Sequence, residues 1–176
     1  MSLDLVNLDA CTRRYMLAEF DADVATGILY RSPQLADDVE QEYQQLLRAA
    51  LEHGTVASLA VELTRWGAVR PPGRWQYVKG TPPEDVPMAA ASLLAEREFH
   101  RFYLRGLCRR AIDQGVQTLV IYRAKPAVAG RATADGMIGI RITAGSLLED
   151  LRGTFDSWPP NGLPQCRDPG LSARLP

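Results

Sequence analysis

Apolar positions recur at helical spacing through most of the first half of the chain. In "NLDACTRRYMLAEFDADVATG", Leu8, Cys11, Tyr15, Ala18 and Phe20 predict a helix that Asp9 or Thr12 caps and that ends before Gly27. The pattern is stronger in "SPQLADDVEQEYQQLLRAALEHG". There Ser32 reads as the N-cap, Pro33 as the first helical position, and Asp37 and Asp38 as early-turn acids that favour the helix dipole. Its stripe is Leu35, Val39, Tyr43, Leu46, Leu47, Ala50 and Leu51, with Gly54 as the stop. "TVASLAVELTRWG" predicts a further helix from cap Thr55 to stop Gly67, so the short break at Gly54 implies an αα-hairpin or a kinked pair. "ILYRSP" between the first two helices reads as a strand or a turn.

The second half is more broken. Residues 68–87 contain five prolines and two glycines, which excludes a long helix and leaves a linker or arm in which "RWQYVK" suits a short edge strand. Residues 88–114 read as one long helix closed by Gly115. "QTLVIYR" is a β-branched strand, and "MIGIRIT" alternates Ile138, Ile140 and Ile142 as a half-buried strand does. "AKPAVAGRATADG" between them is a small-residue loop. "TAGSLLEDLRG" predicts a short helix with Ser146 as cap and Glu149 completing a capping box. The stretch from 154 to 176 has five prolines and predicts an extended, irregular tail. The expected fold is α+β: a helical N-terminal part and a long central helix packed on a small β-sheet, with a Pro-rich arm and tail. The corresponding segments are 1–67, 68–87, 88–152 and 153–176.

Net charge is −1, but it is divided unevenly. Residues 1–67 hold five Arg and eleven Asp/Glu, and residues 68–176 hold fifteen Lys/Arg and ten Asp/Glu, so the parts carry −6 and +5. Such halves attract each other or present opposite surfaces to other molecules. The three cysteines, Cys11, Cys108 and Cys166, are odd in number and far apart, and neither a disulfide framework nor a metal spacing is expected. The N-terminus lacks the basic and apolar regions of a signal peptide, and no run of about 18 apolar residues occurs. The expected location is the cytoplasm, or a virion if the chain is phage-encoded.

Candidate chemistry starts with "EREFHRFYLRGLCRRAI". Arg97, Arg101, Arg105 and Arg109 form an i, i+4 row that Arg110 widens, opposite Phe99, Phe102, Leu107 and Ile112. Three uses compete for such a row. It pairs with the acidic N-terminal part, for which Asp37, Asp38, Glu40 and Glu42 are the natural partners. It docks an acidic protein patch. It holds nucleic-acid phosphate, against which stand a pI near 6.1 and the lack of lysine clusters. These five arginines, with Trp75 in the arm and Trp158 in the tail, are the partner-binding candidates.

Catalytic candidates are fewer. His53 sits at a helix C-terminus, where a dipole contact explains it. His100 and Cys108 are two turns apart on one helix, about 12 Å along its axis, which excludes a dyad. Adjacent carboxylates such as Glu149 and Asp150 do not face one another on a helix, and Asp135 suits a turn. "GRATADGMIG" lacks the lysine and the following helix that a phosphate cradle needs. "LYR" and "IYR" resemble the strand arginine of ADP-ribosyltransferases, but the later Glu-x-Glu or Gln-x-Glu element is missing. No cofactor is expected. An enzyme would need the fold to bring His100, Tyr122 and Arg123 together.

The pattern "EFHRFYLRGLCRRAI … VIYRAK … MIG … LLEDLR … GLSARLP" resembles a family of uncharacterised bacterial proteins over most of residues 94–176. That resemblance implies that these segments form one unit, and it brings no activity and no functional residue. The reading placed first is therefore a non-enzymatic protein–protein assembly module, such as a structural component of a phage or phage-like particle, with protein subunits, self or other, as partners. A small enzyme is the alternative, and a nucleic-acid binder using the arginine row comes third.

Overall fold

The computed structural model describes residues 3–32, 35, 39–69, 86–126, 135–153 and 170–176. Five helices accompany a three-stranded antiparallel sheet among these residues, an α+β arrangement. The helices are α1 (Ala10–Thr26), α2 (Glu40–His53), α3 (Val56–Arg65), α4 (Val86–Asp113) and α5 (Ala144–Gly153). The strands are β1 (Thr118–Arg123), β2 (Arg141–Thr143) and β3 (Leu171–Arg174), in the order β2-β1-β3. Helices α1, α3 and α4 end before Gly27, Gly67 and Gly115, as the punctuation of the sequence predicts. The chain divides into two compact units, Met1–Ala22 with Arg101–Pro176, and Asp23–His100.

The first unit is built around the second half of α4, where every residue from Arg101 to Cys108 is buried. Helix α1 packs closely on it at Gly106. A Cβ there would lie 2.6 Å from the Met16 Cγ and 2.8 Å from the Met16 backbone nitrogen, so only glycine permits this approach. In the sheet, Leu119 faces Ile142 across one ladder and Ile121 faces Ala173 across the other. Leu119, Ile121, Leu171 and Ala173 are buried, and α5 adds Leu147, Leu148 and Leu151 to the core.

Both ends of the chain are tied to that sheet. The Asp4 N–H donates to the Ala124 carbonyl at 2.8 Å, and the Tyr122 hydroxyl donates to the Asp4 carbonyl at 2.6 Å. The Leu175 N–H donates to the Asn7 Oδ1 at 2.9 Å. The buried Tyr103 hydroxyl donates to the Ala173 carbonyl at 3.2 Å. Satisfied buried polar groups of this kind fix one register, because a slipped strand would strand them without partners.

In the second unit, α2 and α3 form the predicted helical hairpin. Tyr43, Leu47, Ala50 and Leu51 of α2 and Leu59, Ala60 and Leu63 of α3 are buried. Thr55 caps α3 with a complete capping box: its Oγ1 accepts from the Ser58 N–H, and the Ser58 Oγ accepts from the Thr55 N–H. The first half of α4 contributes Ala90, Ala91, Leu94, Ala95 and Phe99 to the buried set.

Four local expectations are corrected. Helix α2 starts at Glu40, with Val39 as its N-cap, and not at Ser32. Leu35 is instead held in an antiparallel bridge with Val69, and the Ser32 carbonyl accepts from the Leu35 N–H as in a turn. The strand expected over "MIGIRIT" shrinks to three residues. Gly139 has φ +85°, and the Ile140 N–H donates to the Met137 carbonyl at 3.1 Å, which is the geometry of a type II turn. Gly139 and Ile140 then both oppose Ile121, a glycine bulge that ends the alternation and leaves Ile138 and Ile140 exposed. Ser146 lies inside α5 and not at its cap. The end of the tail, expected to be irregular, is strand β3, with Leu171, Ser172 and Ala173 buried. Pro33, Asp37, Asp38, Trp75, Trp158, Cys166, "RWQYVK" and residues 127–134 and 154–169 lie outside the described residues.

Candidate functional site

Helix α1 buries Thr12, Met16, Glu19, Phe20 and Asp23, a row at helical spacing in which three of five side chains are polar or charged. Ala18, expected on the apolar face, is exposed. The face is rotated because burial follows polar pairing as well as hydrophobicity. Glu19, within the first unit, is the centre of that pairing. Arg105 of α4 donates to its Oε2 through Nε at 3.0 Å and through Nη2 at 2.9 Å. Arg152 of α5 donates through Nε to Oε2 at 2.9 Å and through Nη2 to Oε1 at 2.5 Å. The Arg109 Nε stands 3.9 Å from Oε1. Arg105 also lies over the Phe102 ring, 5.1 Å from its centroid, and Phe102 meets Phe20 edge to face.

Burying a carboxylate is costly unless its lone pairs are filled and its charge is matched. Burial pushes the Glu19 carboxyl up, but the Arg152 hydrogen bonds and the charge and hydrogen bonds of Arg105 outweigh it and hold the group below its ordinary value. Glu19 is thus a fixed anion, and α1, α4 and α5 meet at it. A second pair repeats the device at the start of α1. Asp9 caps the helix by accepting from the Thr12 N–H at 2.9 Å, and it receives Arg110 Nη1 at 2.7–2.8 Å. Burial raises this carboxyl too, but the Thr12 amide and Arg110 lower it further.

The arginine row therefore has several fates. Arg101 and Arg105 are buried, Arg101 donating to the Leu151 carbonyl at 2.9 and 3.2 Å. Neither is open to a partner, because both guanidinium groups join helices of their own chain. Arg110 is bound to Asp9 and to the Thr12 hydroxyl. Arg97, in the second unit, lies over the Tyr30 ring at 4.9 Å. Arg109 is half exposed. Within the first unit, Asp9 at the cap of α1 and Glu19 inside it supply counter-charges to Arg110 and Arg105; of the partners the sequence suggested, Asp37 and Asp38 lie outside the described residues.

The catalytic candidates fall in both units. His100 is buried in the second unit, and burial pushes its imidazole down to about 4. Tyr122 and Arg123 are on β1 and Asp135 opens a 3-10 turn, all in the first unit. The Tyr122 hydroxyl is engaged with the N-terminal segment. Burial pushes the Cys108 thiol up to about 12, which leaves it protonated and inert. His53 is exposed beside Glu52 at 3.5 Å. Among the described residues no group of three His, Cys, Asp or Glu could hold a metal, and no helix is long and apolar enough to cross a membrane.

Chemically, this arrangement cross-links helices and displays cationic edges. Sequence reasoning missed Glu19 and Arg152, and it named Asp9 as a helix cap but not as the partner of Arg110. A signal did exist: Thr12, Met16, Glu19 and Asp23 share one helical face, but a search for apolar stripes passes over it. Compared with known protein families, curated proteins and solved structures, the chain matches none.

Proposed function

We propose that the chain is a non-enzymatic protein–protein assembly module. One observation carries this reading: among the described residues His100, Cys108 and Glu19 are built into the fold, while cationic and apolar groups remain on the surface. General acid–base work needs an accessible group that titrates near the working pH. His100 and Cys108 are buried and shifted away from neutrality, and Glu19 is locked as an anion. At the surface stand Arg109 and Arg152, with exposed Val61, Trp66 and Leu93 on the second unit. Arginine and tryptophan are the residues on which interfaces most often rest. A structural part of a larger particle, phage-like or otherwise, belongs to the same reading.

Size-exclusion chromatography with light scattering tests it. The intact chain, alone at rising concentration and recovered with a tag from its source cells, is expected to run as a species heavier than one chain with defined stoichiometry. A lone monomer in both settings overturns the reading. The intact chain is needed, because deleting the C-terminal tail would remove β3 from the sheet.

A further inference from the structure

We infer that Arg109 and Arg152 form a docking edge for an acidic protein segment. The inference rests on the assembly reading and adds the chemistry of the partner. Three guanidinium groups converge on Glu19, and one carboxylate matches only one of them. Of the four hydrogen bonds from Arg105 and Arg152, three fall on its Oε2 and one on its Oε1, so the carboxylate already carries two charged partners. Arg109 arrives as a third cation and stays at 3.9 Å, beyond hydrogen-bond distance, with half its side chain exposed. Arg152 uses Nε and Nη2 on Glu19, and its side chain is 42% exposed.

Both groups approach the same oxygen, Oε1, so their guanidinium nitrogens are no further apart than the two distances, 3.9 and 2.5 Å, laid end to end. Neighbouring like charges at the surface favour a second anion. Among the described residues, the nearby acids do not supply one to Arg109. Asp113, one turn on, receives the Tyr15 hydroxyl, and Asp9 receives Arg110. Glu149, one turn before Arg152 on α5, is exposed. The guanidinium fork suits carboxylates held in pairs. A long polyanion fits less well. Binding one rests on many cations along a track, whereas this edge has two and the chain carries a net charge of −1.

The probe is a fluorescein-labelled peptide of alternating Glu and Ala residues, followed by anisotropy with the intact chain at low salt. A single-stranded oligonucleotide of equal charge runs in parallel. Arg109→Gln is expected to weaken peptide binding about five-fold or more, while Arg65→Gln, which removes a still more exposed cation from α3, leaves it unchanged. Circular dichroism should show both variants folded. No peptide binding, or an equal loss in the Arg65 variant, overturns the docking edge. Tighter oligonucleotide binding with the same Arg109 dependence transfers the edge to nucleic acid and overturns the acidic-protein assignment. If the chain assembles in the scattering experiment but ignores the peptide, the assembly reading survives and this inference fails. A lone monomer there overturns both.

Discussion

The α2–α3 hairpin and the α1–α4–α5 cluster solve the same problem by different means. The hairpin buries an aliphatic stripe, Leu47, Leu51, Leu59 and Leu63, beneath a standard cap. The cluster joins its helices through Glu19, Arg105 and Arg152, with Arg101 on the Leu151 carbonyl. Aliphatic contacts are non-directional and tolerate small shifts. A buried ion pair contributes less net stability, since desolvation offsets much of the attraction, but it penalises every arrangement that leaves a charge unmatched. The hairpin is thus held by area, and the cluster by the cost of misassembly.

The largest effect is expected at Glu19. Glu19→Gln keeps the shape and removes the charge, leaving Arg105 buried opposite a neutral group. Arg152 is half exposed and can turn to water, but Arg105 cannot. Urea unfolding should show a loss of about 3–5 kcal/mol. The contrast sharpens with Glu19→Leu combined with Arg105→Met, which should recover most of that loss, because an apolar pair of similar volume needs no charge matching. A double variant as unstable as the single one would mean that the cluster is held by packing alone, as the hairpin is.

Next comes the hairpin itself. Leu63 is fully buried, and Leu63→Ala should cost about 3 kcal/mol in the same titration. Here no second substitution restores stability by matching charge, and the loss should be unchanged by salt. A salt-dependent loss would break the distinction between the two regions.

This difference also explains what could be read from the sequence. Helix α2 follows an aliphatic period, so most of its buried face is legible: Tyr43, Leu47, Ala50 and Leu51 are buried and Leu46 is half-buried, while α3 is legible as a helix with its cap and stop. Helix α1 was legible as a helix but not by face, because Thr12, Glu19 and Asp23 are buried among Met16 and Phe20. The row on α4 is visible in the sequence, and so is its pairing with the acidic N-terminal part as one reading, but nothing local says that Glu19, more than 80 positions earlier, buries Arg105. Strand β3 was missed for a related reason. Leu171–Arg174 is short and follows prolines, and its strand character comes from its partner β1. The bulge at Gly139 hid the other misreading, since a glycine inside an alternating run also fits a continuous strand.

Acid separates the regions further. In the unfolded chain His100 takes its proton near 6.5, and in the fold only near 4. Between those values the unfolded state binds more protons, so stability falls as pH drops from 6.5 to 4 and levels off below. The expected loss is on the order of 3 kcal/mol. Glu19 works lower. Its folded carboxyl is held below the ordinary 4.5, so its contribution is complete above that value and disappears as pH falls through the folded one. Stability measured by urea against pH should therefore show two successive declines. His100→Leu should remove the upper one, and Glu19→Gln the lower. A single decline unaffected by His100→Leu would show that the buried imidazole does not govern the upper window.

The smallest effect belongs to the cap between α2 and α3. Thr55 accepts from the Ser58 N–H at 3.1 Å and its own N–H donates to the Ser58 Oγ at 2.8 Å, all at an exposed position. Without burial, no cavity accompanies its removal, and Thr55→Ala should cost about 1 kcal/mol. Thr55→Ser retains the oxygen and should stay within a few tenths of a kcal/mol of the native chain. The pair measures how much of the hairpin rests on local geometry rather than on its aliphatic stripe. A loss from Thr55→Ala as large as that from Leu63→Ala would mean that the entry to α3, and not the buried area, holds the two helices together.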